Sequence, residues 1–247
     1  MSDFINTFKI IAGPCTIESY DKLYATAKAL KELGIEYLRG GAYKMRTSCE
    51  SFQGLHDEGV KILSKVGKEL GIKTVSEVTR IDKIEFMAEH IDILTVGARS
   101  MHNYALLKAL SAVDNPIILK RGISTTYQEW VEASNYIKQS GDNKTIFCER
   151  GIRTFESETR FTLDLSSVPV LQNNYSQPVI VDPSHAAGDR RFVVALSKAA
   201  IAAGAMGLMI ECDLDPDSSI CDAKQTIALD QLQDIISFSK TYKDVFK

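Results

Sequence analysis

The stretch from residue 8 to residue 40, FKIIAGPCTIESYDKLYATAKALKELGIEYLRG, sets the architecture. Its first residues, Phe8 to Ala12, form a short apolar run of the kind that makes a buried strand. From Ser19 to Leu33 the spacing changes: Leu23, Ala27 and Leu30 fall at i, i+4 and i+7, which puts an apolar stripe along one face of a helix. Gly34 follows Leu33 where a left-handed C-cap is needed, and Tyr37 to Gly40 is again a strand. Strand, helix and strand in this order form a right-handed parallel unit.

The same unit recurs along the chain. Further strands are predicted at Thr74 to Glu77, Ile93 to Val96, Pro116 to Leu119, Thr145 to Cys148, Val179 to Val181 and Leu208 to Ile210, giving eight in all. Helices are predicted at Asp57 to Leu70, Asn103 to Ser111, Thr126 to Gln139 and Asp189 to Ala203. Eight alternations in 247 residues match the size of a single (β/α)8 TIM barrel. An open doubly wound sheet has the same alternation, and periodicity alone does not separate the two. No linker or low-complexity tract divides the chain, so residues 1–247 are expected to form one catalytic domain with no appended regulatory domain.

Composition narrows the function. At 45% hydrophobic and 25% charged the chain is of ordinary globular make-up, and a net charge of −3 is a poor match for a nucleic-acid or membrane surface. The N-terminus lacks the apolar stretch of a secretory signal, and no segment is apolar over about 18 residues, so a cytoplasmic protein is expected. Five cysteines in a chain of this size point to free thiols or metal ligands rather than a disulfide framework.

The residues that follow the apolar runs carry the chemistry, because strand C-termini form the catalytic face of such a barrel. Cys15, His185, Glu211 and Asp222 are metal-ligand types, and the sulfur favours Mn, Fe, Co or Zn over magnesium. Arg39, Lys44, Arg46, Arg99, Lys120 and Arg150 are anion binders, and six cations at one rim of an acidic protein call for a phosphorylated substrate. Taken singly, Cys15 reads equally as a small core residue and His185 as part of a helix cap. A Lys120 surrounded by cations also allows a Schiff-base aldolase.

Nine segments carry a family resemblance: IAGPCTIES at 11–19, LRGGAYKMRTS at 38–48, SFQGL at 51–55, VGAR at 96–99, LKRG at 119–122, CERGIRTFE at 148–156, TLDLSSVPVL at 162–171, VDPSHAAGDRR at 181–191 and GLMIECDLDP at 207–216. In them the chain resembles the type I 3-deoxy-D-arabino-heptulosonate 7-phosphate (DAHP) synthases of the shikimate pathway, in their barrel-only form. The resemblance implies a divalent metal on Cys15, His185, Glu211 and Asp222. It implies phosphoenolpyruvate on Arg39, Lys44, Arg99, Lys120 and Arg150, and an aldose phosphate on Arg46, Thr47 and Ser48. Arg46 followed directly by Thr47 sides with erythrose 4-phosphate, where the related 3-deoxy-octulosonate 8-phosphate synthases carry KANRSS. Lys44 is then a candidate proton donor to the aldehyde, and Glu149 a candidate for activating water. A homodimer or homotetramer is expected.

The chain departs from the family pattern at three places. Met45 stands for proline, Cys212-Asp213 for Val-His, and Cys221-Asp222-Ala223 for Ser-Asp-Gly. Losing proline frees a backbone torsion beside two substrate ligands, which puts aldose affinity or selectivity in question.

Overall fold

The computed structural model describes residues 7–46, 48–138 and 144–245. Its strands are β1 (Lys9–Gly13), β2 (Tyr37–Arg39), β3 (Lys73–Glu77), β4 (Ile93–Val96), β5 (Ile117–Lys120), β6 (Thr145–Glu149), β7 (Val179–Val181) and β8 (Gly207–Glu211). All are parallel, and they close in sequence order. Closure is made by β1 against β8, with Lys9 opposite Gly207 and Gly13 opposite Glu211. That pairing excludes the open sheet and leaves a (β/α)8 barrel. Every predicted strand falls within one residue of its position.

Around the strands lie α1 (Tyr20–Glu32), α2 (His56–Leu70), α3 (Ile84–His90), α4 (Tyr104–Ala109), α5 (Tyr127–Asn135), α6 (Ser167–Tyr175), α7 (Pro183–Ala187), α8 (Arg190–Ala202) and α9 (Leu229–Val245). Local chemistry sets several ends. Ser19 caps α1 by accepting from the Lys22 amide, and Thr126 and Glu129 form a reciprocal capping box on α5. Gly71 closes α2 at φ 59°, the left-handed cap that its sequence position predicts. Two helices are shorter than predicted. The Asn103 to Ser111 segment is α-helical only to Ala109 before tightening into a 3-10 turn, and α5 ends at Asn135, with Gln139 outside the described residues.

Side-chain alternation builds two separate cores. Ile11, Tyr37, Val75, Ile93, Ile118, Ile146, Ile180 and Met209 point inward and fill the barrel, so its centre is packed rather than open. Their neighbours, such as Ile10, Leu38, Leu94, Leu119 and Leu208, face the helices. With the interior filled, the barrel offers its strand ends rather than its centre to a ligand. Among the described residues no helix is long and apolar enough to cross a membrane.

Candidate active site

Each strand delivers its last residue to one rim. β2 ends on Arg39, β3 on Glu77, β5 on Lys120, β6 on Glu149 and β8 on Glu211, while Asp182 follows β7 and Cys15 lies two residues past β1. Between them opens a cavity of about 530 Å³. Its walls carry seven cationic side chains: Lys44, Arg46, Arg99, Lys120, Arg150, Arg153 and Arg160, with Ser48, Glu77, His185 and Asp222 beside them. Cys15 and Glu211 are buried beneath this cavity, and Arg39 lies under it in a smaller recess with Lys44 and Lys120. Of the predicted substrate contacts only Thr47 falls outside the described residues.

The predicted metal ligands converge from three strand ends: Cys15 past β1, His185 in α7 after β7, and Glu211 and Asp222 at and beyond the end of β8. Ligand atoms of His185, Glu211 and Asp222 all lie within 4.8 Å of one another, and Cys15 Sγ is 3.2 Å from Asp222 Oδ2. Glu211 Oε1 is buried with no aligned hydrogen bond, although Arg39 stands 3.1 Å and His185 Nε2 3.4 Å away. An oxygen that is surrounded by charge yet keeps its lone pairs free suits a cation. A thiol, an imidazole and two carboxylates therefore fit a divalent ion, and one softer than magnesium.

The ionisation of Glu211 and His185 favours the same reading. Burial works against the Glu211 carboxylate, but His185, Arg39 and Lys44 outweigh it and hold the group at about 2. Burial lowers the His185 imidazole despite the nearby Asp182, so at neutral pH it keeps a lone pair to donate. The hydrogen bond to Cys221 and burial raise the Cys15 thiol well above its ordinary value. Lys44 stands 3.1 Å from Cys15 Sγ and from the Cys15 carbonyl. Gly41 leaves room for this approach, since a Cβ there would lie 2.7 Å from the Lys44 side chain and from the same carbonyl.

Asp182, present in the sequence at a strand end but given no role there, ties the two halves of the site together. Fully buried, it binds Lys120 Nζ at 2.6 Å and approaches His185 Nδ1 at 2.7 Å, off the axis of a hydrogen bond. Its other oxygen caps α7 by accepting from the His185 amide at 3.0 Å. The signal for this role was the Asp-Pro-Ser-His run itself, in which an N-cap directly precedes proline at N1. Arg160 and Phe161 gave no such signal. They reach the cavity because an antiparallel bridge between Ile152 and Thr162 folds the loop after β6 back on itself, which lays Arg150 over the Phe161 ring at 4.2 Å.

Glu149 is not placed where an activator of water would stand. It has no exposure and does not line the cavity; one oxygen accepts from the Gly151 amide at 2.6 Å and the other from Arg121 at 2.9 Å. Arg121 in turn pairs with Asp164 at 2.8 Å. Burial, against Arg121, raises the Glu149 carboxyl. The Schiff-base reading of Lys120 also loses its basis, because the group next to its ammonium is the Asp182 carboxylate rather than a cation.

Comparison with known proteins agrees with this geometry. A phospho-2-dehydro-3-deoxyheptonate aldolase of Thermotoga maritima is 43% identical over 96% of this chain and 70% of its own length. A 2-dehydro-3-deoxyphosphooctonate aldolase of Desulfotalea psychrophila is 30% identical over 92% of this chain and 87% of its own length. Among solved structures, the Thermotoga maritima DAHP synthase superposes with a TM-score of 0.92 at 42% identity, over 97% of this chain and 70% of that one. A truncated form of 3-deoxy-D-arabino-heptulosonate 7-phosphate synthase from the same organism gives 0.89 at 39% identity, over 97% and 87%. The profile of the DAHP synthetase I family matches residues 6–247, and the chain belongs to that family.

Proposed function

We infer that this barrel is a DAHP synthase, condensing phosphoenolpyruvate with D-erythrose 4-phosphate to give 3-deoxy-D-arabino-heptulosonate 7-phosphate and phosphate, the first step of the shikimate pathway. The observation that carries the reading is the cation-walled cavity placed directly over the Cys15, His185, Glu211 and Asp222 donors. The 43% identity to the heptonate enzyme against 30% to the octonate one supports the four-carbon aldose.

Phosphoenolpyruvate brings two anionic groups. Arg99, Lys120 and Arg150 would hold its phosphate, and Lys44 with Arg39 its carboxylate. Burial lowers the Arg150 guanidinium, and among the described residues this group has no ion-pair partner, so an arriving phosphate restores what burial removes. Lys120 is kept in place by Asp182. Arg46 and Ser48, lining the same cavity, would hold the phosphate of erythrose 4-phosphate.

Bound on Cys15, His185, Glu211 and Asp222, a divalent metal would supply Lewis acidity toward the aldehyde oxygen. Lys44 stands beside those donors and is the group in reach to protonate that oxygen as C3 of phosphoenolpyruvate bonds to the aldehyde carbon. Water then adds at C2 and phosphate leaves. Glu149 takes no part in that step; it holds Arg121 and the Gly151 turn, which fixes the backbone from which Arg150 projects.

The direct test is phosphate release from phosphoenolpyruvate with erythrose 4-phosphate against arabinose 5-phosphate, with mass identification of the sugar product. A seven-carbon product and clear preference for the four-carbon aldose are expected. Preference for arabinose 5-phosphate would move the chain to the octulosonate reaction.

A further inference from the structure

Cys221 belongs to none of the roles above, yet it is buried in the metal-side cluster. Its Sγ lies 3.1 Å from Cys15 Sγ, and Arg46 donates to it from the other side. The residue before a ligand normally points away from the ligand's side. Here Asp222 adopts the left-handed conformation at φ 54° and ψ 29°, unusual for a residue other than glycine, and this turns Cys221 and Asp222 toward the same point.

Two groups of three donors meet there. Ligand atoms of Cys15, Cys221 and Asp222 lie within 4.8 Å of one another, as do those of His185, Glu211 and Asp222. Asp222 is common to both, so an ion seated against it is within reach of either sulfur. We propose that Cys221 is a second thiolate ligand of this site, so that the ion is held by two sulfurs together with the imidazole and carboxylates.

The geometry is close to what this requires. With metal–sulfur bonds of about 2.3 Å and a sulfur–metal–sulfur angle of about 90 to 110°, two thiolates stand roughly 3.3 to 3.8 Å apart, so the sulfurs need to separate by about 0.2 to 0.7 Å from their present 3.1 Å. Two adjacent thiolates repel each other, and here a divalent cation would lie against them while Lys44 and Arg46 donate hydrogen bonds from outside. The second sulfur makes the site softer. It shifts preference away from manganese and toward zinc, cobalt or ferrous iron.

The inference rests on the metal reading of the site, and the experiment separates the two. Protein stripped by chelator is loaded with one equivalent of Co(II), bound cobalt is measured by elemental analysis, and the sulfur-to-cobalt charge-transfer band is recorded in the near ultraviolet. Cys15→Ser and Cys221→Ser should each retain cobalt and lose about half the band, since each thiolate contributes its own transition. Cys221→Ser should also weaken zinc, measured by chelator competition, by at least the roughly tenfold that loss of an outer-shell partner costs, while manganese changes less. Circular dichroism checks the fold, and Cys221→Ala repeats the measurement without a hydroxyl. A cobalt-loaded Cys221→Ser protein with the full wild-type band, or a band abolished by Cys15→Ser alone, overturns the second ligand and leaves the metal site standing. A wild-type protein that takes up no cobalt overturns both.

Discussion

Two cavities of similar volume lie at opposite ends of this barrel, about 580 Å³ beside the N-terminal ends of β3 to β5 and about 530 Å³ at the C-terminal rim. Near the first, Asp92 and Asn115 find their partners in the chain itself. Asp92 accepts from the Thr74 amide and hydroxyl, both at 2.7 Å, and Asn115 donates to the Ala88 and Ile91 carbonyls at 3.1 and 2.8 Å. At the rim charge meets charge. Arg39 faces Glu211 and Lys120 faces Asp182, whereas among the described residues no ion pair involves Arg99, Arg150 or Arg153. Size does not distinguish the two cavities; the sign of the charge does, since seven cations line the rim while Lys68, Lys73, Glu89, Asp92 and Asp114 mix both signs at the other end. Polar groups satisfied by backbone hold a fold, and cations left without a carboxylate at the end of a barrel suit an anion from outside.

Breaking the rim where its two halves join should give the largest effect. Asp182→Ala leaves Lys120 buried without its carboxylate and His185 without its cap, and loss of one partner of a buried pair costs about 3 to 5 kcal/mol. We expect a fall of that order in unfolding free energy by urea titration, together with kcat/KM lowered by about a hundredfold or more in the fraction that stays folded. Full activity with unchanged stability would show that the two halves do not depend on this carboxylate.

Smaller and more selective effects are expected from the cavity walls. Arg46→Ala should raise the KM for erythrose 4-phosphate, and Arg99→Ala that for phosphoenolpyruvate, each by roughly tenfold or more, because a charge-assisted contact contributes about 1.5 to 3 kcal/mol. Equal effects of either variant on both substrates would undo the assignment of the two phosphate sites.

The smallest effect belongs to the other end. Asp92→Ala removes the acceptor of two short hydrogen bonds and should cost about 1 to 3 kcal/mol of stability. Activity of the folded enzyme should be unaltered. A loss of kcat with the stability change accounted for would mean that the N-terminal cavity participates in function, and the contrast between the ends would fail.

Most of the barrel was legible because buried parallel strands show as apolar runs and their last residues show as charges. Arg39, Lys120 and Glu211 stand out in this way. Closure was not legible, since the pairing of Gly13 with Glu211 brings together residues almost two hundred positions apart. Within the site, residue type was readable and direction was not. Glu149 has the composition of a catalytic carboxylate, but both of its oxygens are taken by Arg121 and Gly151. Cys221 reads as a neighbour of a ligand, and only the folded loop after β8 brings its sulfur to Cys15. Arg160 lies in a loop held by the Ile152–Thr162 bridge and by the Arg160 and Phe161 amides on the Ala187 and Ala186 carbonyls, pairings that no local pattern announces.

If the rim works as one site, with metal donors below and phosphate-binding cations above, removing the ion must silence the cations as well. Phosphate release from phosphoenolpyruvate and erythrose 4-phosphate after exhaustive chelation, with residual metal measured by elemental analysis, tests this most directly. Activity should disappear with the metal and return with manganese or cobalt better than with magnesium, because Cys15 contributes sulfur. Full turnover by protein shown to be metal-free would contradict it.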